Sequence, residues 1–162
     1  MIHLEKIDAW NYWDIWDLEV EESQEEFVAA NNDSVAQAYL AIISGEAYAY
    51  PFAIYDDETP VGFLMIGYNE AAIEDEAPAI LKDNYTLWRL MIDKKFQGKG
   101  FGREAVRLAL EFIKTWPQGQ AEYCALSYEP ENTVAKTLYE SFGFVENGEM
   151  DGDEIVAVLK LK

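Results

Sequence analysis

The sequence of 162 residues predicts one α/β domain, and three observations lead to that prediction. Its length and its 50% share of hydrophobic residues suit a single well-packed core. Runs with the two-residue alternation of β-strands are interspersed with runs that have the spacing of helices. In the second half, a strand-like run passes through the glycine-rich stretch FQGKGFG, residues 96–102, into a helix. The predicted order of elements is βααβββαβαββ, within one domain of residues 1–162.

The first half of the chain is predicted to form three strands and two helices. The strands alternate or are rich in β-forming residues, and capping residues precede each helix. The elements, in order, are a strand at 3–7, a helix that Asp8 can cap and that carries Trp10, Trp13, Asp17 and Val20, an acid-rich bend at 19–26, a helix capped within residues 32–34 and ended by Gly45, and strands at 49–56 and 60–68 joined by a hairpin turn.

The second half is predicted to form four strands and two helices. Glycine and proline mark most of the boundaries between these elements. The elements, in order, are an acidic connection at 70–84, a strand at 85–93, the glycine turn, a helix with Phe101, Ala105, Leu108, Ala109, Phe112 and Ile113 on its buried face, a strand at 121–127, a helix that Asn132 can cap and Gly143 ends, and strands at 144–149 and 153–161 joined at Asp151-Gly152.

The glycine turn has the features of an anion site. A strand that turns through glycines into a helix presents free N–H groups and the positive end of a helix dipole. The spacing matches neither the dinucleotide fingerprint nor the Walker loop. Basic residues are concentrated at this turn and its helix, namely Lys94, Lys95, Lys99, Arg103 and Arg107. We therefore expect the turn to bind a phosphate.

The remainder of the charge is strongly acidic, with a formal net charge of −19. Nucleic acids and anionic membrane surfaces are therefore excluded as expected partners. Either the acidic residues serve solubility, or they attract a cationic substrate. The single Cys124 cannot form an internal disulfide, no apolar run is long enough for a membrane span, and the start MIHLEKIDAW lacks the pattern of a signal peptide. We therefore expect a cytoplasmic protein.

Two motifs together resemble the GCN5-related N-acetyltransferases, the GNAT family. The turn matches that family's Gln/Arg-x-x-Gly-x-Gly/Ala pattern, and a second motif follows at the predicted last helix. The matching residues are Gln97-Gly98-Lys99-Gly100-Phe101-Gly102 and Asn132-x-x-Ala135-x-x-Leu138-Tyr139-x-x-x-Gly143-Phe144. The resemblance implies a mixed, mostly antiparallel twisted sheet of six to seven strands flanked by about four helices. More narrowly, the turn and the closing strands resemble bacterial spermine/spermidine acetyltransferases.

The resemblance implies acetyl-CoA as the cofactor, with its pyrophosphate held by the glycine turn. In the family, the pantetheine arm lies along the strand before the turn as an additional pseudo-strand. The residues implied to contact the cofactor are Met91, Ile92, Gln97, Gly98, Lys99, Gly100, Phe101, Gly102, Arg103, Asn132, Lys136 and Tyr139. No metal-ligand spacing occurs in the sequence, so no metal is expected.

The resemblance implies that Tyr139 is the general acid that protonates the departing CoA thiolate. Its spacing alone also fits an ordinary core aromatic residue. An N–H group near Met91 and Ile92 would stabilise the oxyanion. The general base is open, because the strand before the turn, Leu87-Trp88-Arg89-Leu90, contains no acid. The alternatives are Glu129, Glu22, Glu25 and deprotonation through water.

The expected activity is acetyl transfer to a polyamine such as spermidine or spermine, by direct attack in a ternary complex. The acidic segments 19–26 and 70–76 are expected to border the acceptor side, where they would bind the non-reacting ammonium groups. Trp10, Trp13 and Tyr85 would add cation–π contacts. The alternatives are another amine, namely an aminoglycoside, an amino acid or a protein N-terminus, and a non-catalytic acyl-CoA sensor. A homodimer is a further expectation by analogy with relatives.

Overall fold

The computed structural model describes residues 1–162. Seven strands and four α-helices form in the predicted order. The strands are β1 (Ile2–Lys6), β2 (Tyr48–Asp56), β3 (Thr59–Tyr68), β4 (Tyr85–Ile92), β5 (Tyr123–Tyr128), β6 (Val145–Asp151) and β7 (Glu154–Lys160), and the helices are α1 (Tyr12–Trp16), α2 (Asn31–Ser44), α3 (Phe101–Ile113) and α4 (Thr133–Glu140). Short 3₁₀-helices occupy Glu22–Phe27, Glu70–Ala72, Ala79–Leu81 and Lys94–Phe96.

All seven strands belong to one sheet with the order β1-β2-β3-β4-β5-β7-β6. Only β4 and β5 run parallel, and every other neighbouring pair is antiparallel. The expectation of a mixed, mostly antiparallel sheet with about four helices is therefore confirmed. None of the helices combines the length and the apolar character needed to cross a bilayer.

Two hydrophobic layers cover the two faces of the sheet. Inward-facing residues of α3, among them Ala105, Val106 and Ala109, pack with one face of the strands. Ile15 of α1 and small residues of α2 pack on the other face. Residues of β3 alternate between the two layers, as the pleat of a strand requires, so both faces of the central strands are buried. The central strands, which border the site, are therefore packed from both sides.

Several local predictions were wrong in detail. The first helix is only five residues long, because Ile15 is its one buried residue and little packing supports a longer helix. Its neighbour α2 begins at Asn31 with Ala30 as N-cap, so residues 32–34 do not provide the cap. Instead, the buried Asn31 side chain donates to the Ile15 carbonyl at 3.0 Å, which ties the two helices together. In α3, Val106 is fully buried and Leu108 only half-buried.

Candidate active site

The sheet opens between its two parallel strands. β4 and β5 pair only at Tyr85 with Cys124 and at Thr86 with Ala125, although β4 continues to Ile92. The register between β3 and β4 slips at Trp88, which is the additional residue of a β-bulge. A bulge increases the local twist of a strand and bends it away from its neighbour. The edge of β4 beyond Thr86 is therefore not paired with β5, and a gap opens there.

One cavity, of about 470 Å³, lies between the glycine turn, the end of β4 and α4; we call it the cofactor cavity. Its walls include the turn, the last three residues of β4, one face of α4 and the 3₁₀-helix before α2. Its lining residues are Val20, Ser23, Gln24, Phe27, Val28, Leu90, Met91, Ile92, Phe96, Gln97, Gly98, Gly100, Phe101, Gly102, Glu131, Asn132, Thr133, Val134, Ala135, Leu138 and Tyr139.

The glycines of the turn are required by backbone conformation and leave the cavity open. Gly98 and Gly100 have φ values of +77° and +82°, in the left-handed region that favours glycine. A Cβ at either position would have no atom within 4 Å, so the space beside the turn is unfilled. Gly100 caps α3 without a side-chain hydrogen bond, and the first N–H groups of α3 lack helical partners. The turn thus fits an anion.

The acidic segment 19–26 lies mainly against the glycine turn. The buried Asp93 accepts hydrogen bonds from the Glu19 and Lys95 N–H groups at 3.0 and 2.9 Å. Gln97 pairs with Gln24 through both amides, at 2.8 and 3.2 Å, and also donates to the Ile92 carbonyl. Gln97 therefore fixes the turn to neighbouring elements as well as lining the cofactor cavity.

None of the three basic residues expected at the cofactor, Lys99, Arg103 and Lys136, lines this cavity. Lys99 extends over the Phe96 ring, with its Nζ 5.6 Å from the ring centroid. Arg103 donates to Ser141 Oγ at 2.9 Å. Lys136 is directed toward Glu146, with 3.4 Å between Nζ and Oε1, and does not line the cavity. Lys99 and Arg103 are exposed near the turn, whereas Lys136 is occupied by an ion pair.

A second cavity, of about 750 Å³, lies on the other side of the opened strands; we call it the acceptor cavity. Its 25 lining residues include six carboxyl groups and one cation, Arg89. The acidic residues are Glu26, Glu70, Glu74, Glu129, Asp151 and Glu154. Arg89 donates to the Trp88 carbonyl and to Gln37, and its buried Nε has no partner in the protein. The cavity is thus strongly acidic.

Burial changes the protonation of these carboxyl groups. It raises the pKa of Glu70 to about 8, and the hydrogen bond from Thr86 only partly opposes this. Burial, followed by a hydrogen bond with Asp151, raises the pKa of Glu74 to about 7. The pKa of Glu154 is also raised, first by burial and then by the charge of Asp151. Near neutral pH the cavity therefore holds protons that an incoming cation can displace.

Tyr139 is the one tyrosine that borders both cavities. Its ring packs between Tyr128 and Phe144, with centroid distances of 6.4 and 5.9 Å. Its hydroxyl has no hydrogen-bond partner in the protein, and burial of the phenol raises its pKa. A raised pKa keeps the phenol protonated at neutral pH. Asn132 also borders both cavities, while its side-chain oxygen accepts from the Ala135 N–H and caps α4.

The residues predicted for the acceptor side are only partly brought together. Glu129 lines the acceptor cavity, whereas Glu22 and Glu25 are exposed and line neither cavity. From the two acidic segments, Glu26, Glu70 and Glu74 line the acceptor cavity. Asp151 and Glu154, which flank the β6–β7 turn, also line the acceptor cavity. They could not be recognised from the sequence, because carboxyl groups beside a hairpin carry no signal of where the hairpin folds.

The aromatic walls expected for the acceptor side lie elsewhere. Trp10 and Trp13 are 90% and 66% exposed on the surface of the α1 region. Tyr85 is fully buried in the core, where it bonds to the Gly119 carbonyl. The aromatic residues that do line the cavity include Trp88, whose ring lies 5.7 Å from the Arg89 guanidinium carbon.

Cys124 lines neither cavity. Cys124 is fully buried, and burial raises the pKa of its thiol to about 12, so it is not a thiolate at neutral pH. No three His, Cys, Asp or Glu side chains are grouped so as to hold a metal ion.

Comparison with known protein families gives a result that agrees with the two motifs, the opened sheet and the two cavities. A model of the acetyltransferase (GNAT) family matches residues 10–144. The chain belongs to the GNAT family. The match thus extends beyond the two motifs to most of the chain.

Among curated proteins, two from Bacillus subtilis resemble this GNAT chain. The "Spermine/spermidine N(1)-acetyltransferase" of strain 168 is 32% identical over 106 residues. The "Probable spermine N(1)-acetyltransferase" of subspecies natto strain BEST195 is 33% identical over the same length. In both comparisons the match covers 64% of this chain and 64% of the relative.

Solved structures share the fold at low sequence identity. Aminoglycoside acetyltransferase AAC(6')-Ib in complex with coenzyme A has a TM-score of 0.76 at 17% identity, covering 99% of this chain and 95% of that one. Spermidine N-acetyltransferase from Vibrio cholerae, in complex with CoA and spermine, has a TM-score of 0.69 at 18% identity, with the same coverage.

Proposed function

We propose that this protein transfers the acetyl group of acetyl-CoA to a primary amine of a polyamine such as spermidine or spermine. The observation that carries the proposal is the meeting of two different cavities at one unpaired phenol, that of Tyr139. One cavity has an anion-binding turn, and the other is lined by carboxyl groups. Acetyl-CoA supplies an activated acyl group, and the protein aligns it with the amine.

The cofactor cavity fits CoA by its chemistry. The open space at Gly98 and Gly100 admits phosphate oxygens to the backbone N–H groups of the turn and of the start of α3. Lys99 and Arg103, both exposed near the turn, can add charge-assisted contacts to phosphate oxygens. The unpaired edge of β4 near Met91 and Ile92 offers backbone groups to an extended amide-containing arm.

Tyr139 is suited to the role of general acid. Its phenol is protonated at neutral pH, is free of protein partners and lies where the two cavities join. It can therefore donate a proton to the departing thiolate. Direct attack of the amine in a ternary complex agrees with this arrangement, because both cavities open onto the same side chain.

The acceptor cavity favours a polycation. Six carboxyl groups line the cavity with a single guanidinium, so they outnumber it even where Glu70 and Glu74 hold protons near neutral pH. A cleft in which one sign of charge predominates concentrates ligands of the opposite sign. The B. subtilis relatives are named for spermine and spermidine, and the V. cholerae structure contains spermine. These names and the acidity of the cavity support the same acceptor class.

An aminoglycoside is the second candidate acceptor. Aminoglycosides also carry several ammonium groups, and the 750 Å³ cavity is large for a linear polyamine. The AAC(6')-Ib structures have a higher TM-score than the spermidine acetyltransferase, 0.76 against 0.69.

The proposal is tested by mixing the purified protein with acetyl-CoA and single amines and measuring the release of free thiol. The amines are spermine, spermidine, an aminoglycoside and lysine, with a blank that has no amine. Polyamine-specific release above the blank is the expected result. Release only with the aminoglycoside would select the second candidate.

A separate measurement identifies the sensor alternative. Binding of acetyl-CoA is measured by titration calorimetry alongside the thiol assay. Binding without acetylation of any small amine or of peptides with free N-termini would contradict the enzymatic proposal. That result would leave a non-catalytic acyl-CoA sensor as the remaining interpretation.

A further inference from the structure

Glu70 is a buried carboxyl group that belongs to the lining of the acceptor cavity. It lies two residues after β3, is 5% exposed, and lines the cavity. Its Oε2 accepts a hydrogen bond from the Thr86 hydroxyl of β4. Thr86 is the only side chain that bonds to it, so Oε1 has no partner in the protein. A buried carboxyl group with one free oxygen in a ligand cavity is available to a substrate.

The fold makes room for this pair at Gly67 of β3. A Cβ at Gly67 would lie 2.6 Å from Thr86 Oγ1 and 2.8 Å from Glu70 Oε2. Both distances are shorter than real Cβ atoms show, so any larger residue at position 67 would displace the pair. Three neighbouring segments, β3, β4 and the connection between them, therefore determine where the carboxyl group lies.

Glu70 also lies near the point where the sheet opens. Thr86, its hydrogen-bond partner, is the last β4 residue that pairs with β5. The charge of Glu70 adds to the effect of burial in raising the pKa of Cys124, and Cys124 in turn raises that of Tyr139. Cys124 is thus an electrostatic neighbour of both groups. Glu70 and Tyr139 both line the acceptor cavity.

We propose that Glu70 is the general base, accepting the proton that the acceptor ammonium must lose before it attacks. This proposal rests on the proposed acetyl transfer to an amine, though not on which amine is used. The proton moves from the ammonium nitrogen to Glu70 Oε1, leaving a neutral amine with a free electron pair. That pair forms the new C–N bond, the C–S bond breaks, and Tyr139 protonates the sulfur. The second proton lost by the nitrogen restores Tyr139, and Glu70 releases its proton to solvent.

The surroundings of Glu70 suit this role. An amine with a pKa near ~10.4 transfers its proton more readily to a base of pKa about 8 than to an exposed carboxylate. Glu74 and Asp151 raise the pKa of Glu70 through their charge, and Arg89 lowers it. Glu70 therefore supplies the general base that the strand before the turn, which contains no acid, does not provide. Its position on the β3–β4 connection could not be recognised from the strand itself.

The test compares Glu70→Gln with the wild type, using whichever amine the wild type acetylates, at pH 7, 8, 9 and 10. Gln keeps an oxygen for the Thr86 hydroxyl but cannot take a proton. We expect kcat at pH 7 to fall by about 100- to 10,000-fold, with little change in acetyl-CoA affinity. The wild type should level off above about pH 8, where Glu70 is ionised. The variant should continue to gain about tenfold per pH unit, because it depends on neutral amine from solution.

Two matched variants separate this role from binding and from charge in general. Glu74→Gln, in the same cavity, should mainly raise the KM for the acceptor. Glu58→Gln, exposed at the β2–β3 turn, should leave both constants unchanged. If Glu70→Gln does not fold, Glu70→Asp replaces it, with an expected tenfold or greater loss of kcat and a retained break near pH 8.

Several results would overturn the proposal. A Glu70→Gln kcat within threefold of wild type at pH 7 would exclude the role. So would a loss of the same size at pH 8 and pH 10, or a Glu70→Asp variant with full kcat. A wild type that prefers another amine would overturn the polyamine assignment and leave Glu70 to be tested on that amine. A wild type that acetylates no amine would overturn both proposals.

Discussion

The buried Glu70 leads to a prediction about stability that is independent of catalysis. Its pKa rises from an ordinary 4.5 to about 8 in the folded protein, a difference of 3.5 units. The folded state therefore retains a proton that the unfolded state loses, and stability falls as pH rises from about 4.5 to about 8. At about 1.4 kcal/mol per unit, the ionised carboxylate costs about 5 kcal/mol above pH 8. Glu70→Gln removes this cost.

The assay is urea unfolding of the wild type and of Glu70→Gln at pH 5, 7 and 9, with Glu58→Gln as the exposed control. We expect the Glu70 variant to be more stable than wild type by about 1 kcal/mol at pH 5, about 3 at pH 7 and about 5 at pH 9. The last value corresponds to a rise in Tm of about 10 °C or more. A difference that stays constant between pH 5 and pH 9 would refute the reasoning, because it would show that Glu70 has no raised pKa.

Three further substitutions test the site. Tyr139→Phe should lower kcat by about 100-fold or more while calorimetry shows unchanged acetyl-CoA affinity; a full kcat would remove the phenol from the mechanism. In Gly100→Ala, the backbone at φ +82° would be strained by about 1–2 kcal/mol, and the new Cβ would enter the open space beside the turn. CoA affinity should fall about tenfold, and unchanged affinity would argue that CoA does not approach this residue. Gly67→Ala should displace the Glu70 carboxyl group, lowering kcat and destabilising the fold by about 1–3 kcal/mol; a kcat equal to wild type would contradict the importance of that geometry.

Much of the fold could be predicted because its signals are local. Alternation in β2 and β3 and the glycines around α3 and α4 each depend on a few adjacent residues. The order of all eleven elements followed from them. The length of α1 could not be predicted, since the periodic Trp10 and Trp13 turned out to face outward and only Ile15 is buried. Helical spacing shows that a helix is possible, but tertiary packing determines how far it extends.

The candidate site likewise has one part that could be predicted from the sequence and one part that could not. The glycine turn and Tyr139 belong to motifs that are contiguous or nearly so, and the sequence placed them on the correct elements. The acceptor cavity is assembled from distant segments, so Glu70 on the β3–β4 connection meets Glu154 on β7 only in the folded chain. A burial that raises the pKa of a carboxyl group has no sequence signal at all. The exposed Glu22 and Glu25 and the buried Glu70 look alike in the sequence.

The short pairing between β4 and β5 has a mechanical consequence. The sheet is continuous, yet it consists of a four-stranded block and a three-stranded block joined along a seam of only two residue pairs. Local opening is favoured where the fewest backbone bonds must break, so this seam is the weakest line across the sheet. A ligand seated in the gap bonds to one block and contacts the other, and part of its binding free energy becomes rigidity of the whole sheet. Such a ligand works as a strut between the blocks, and amide hydrogen exchange along β4 and β5 should slow when it is bound.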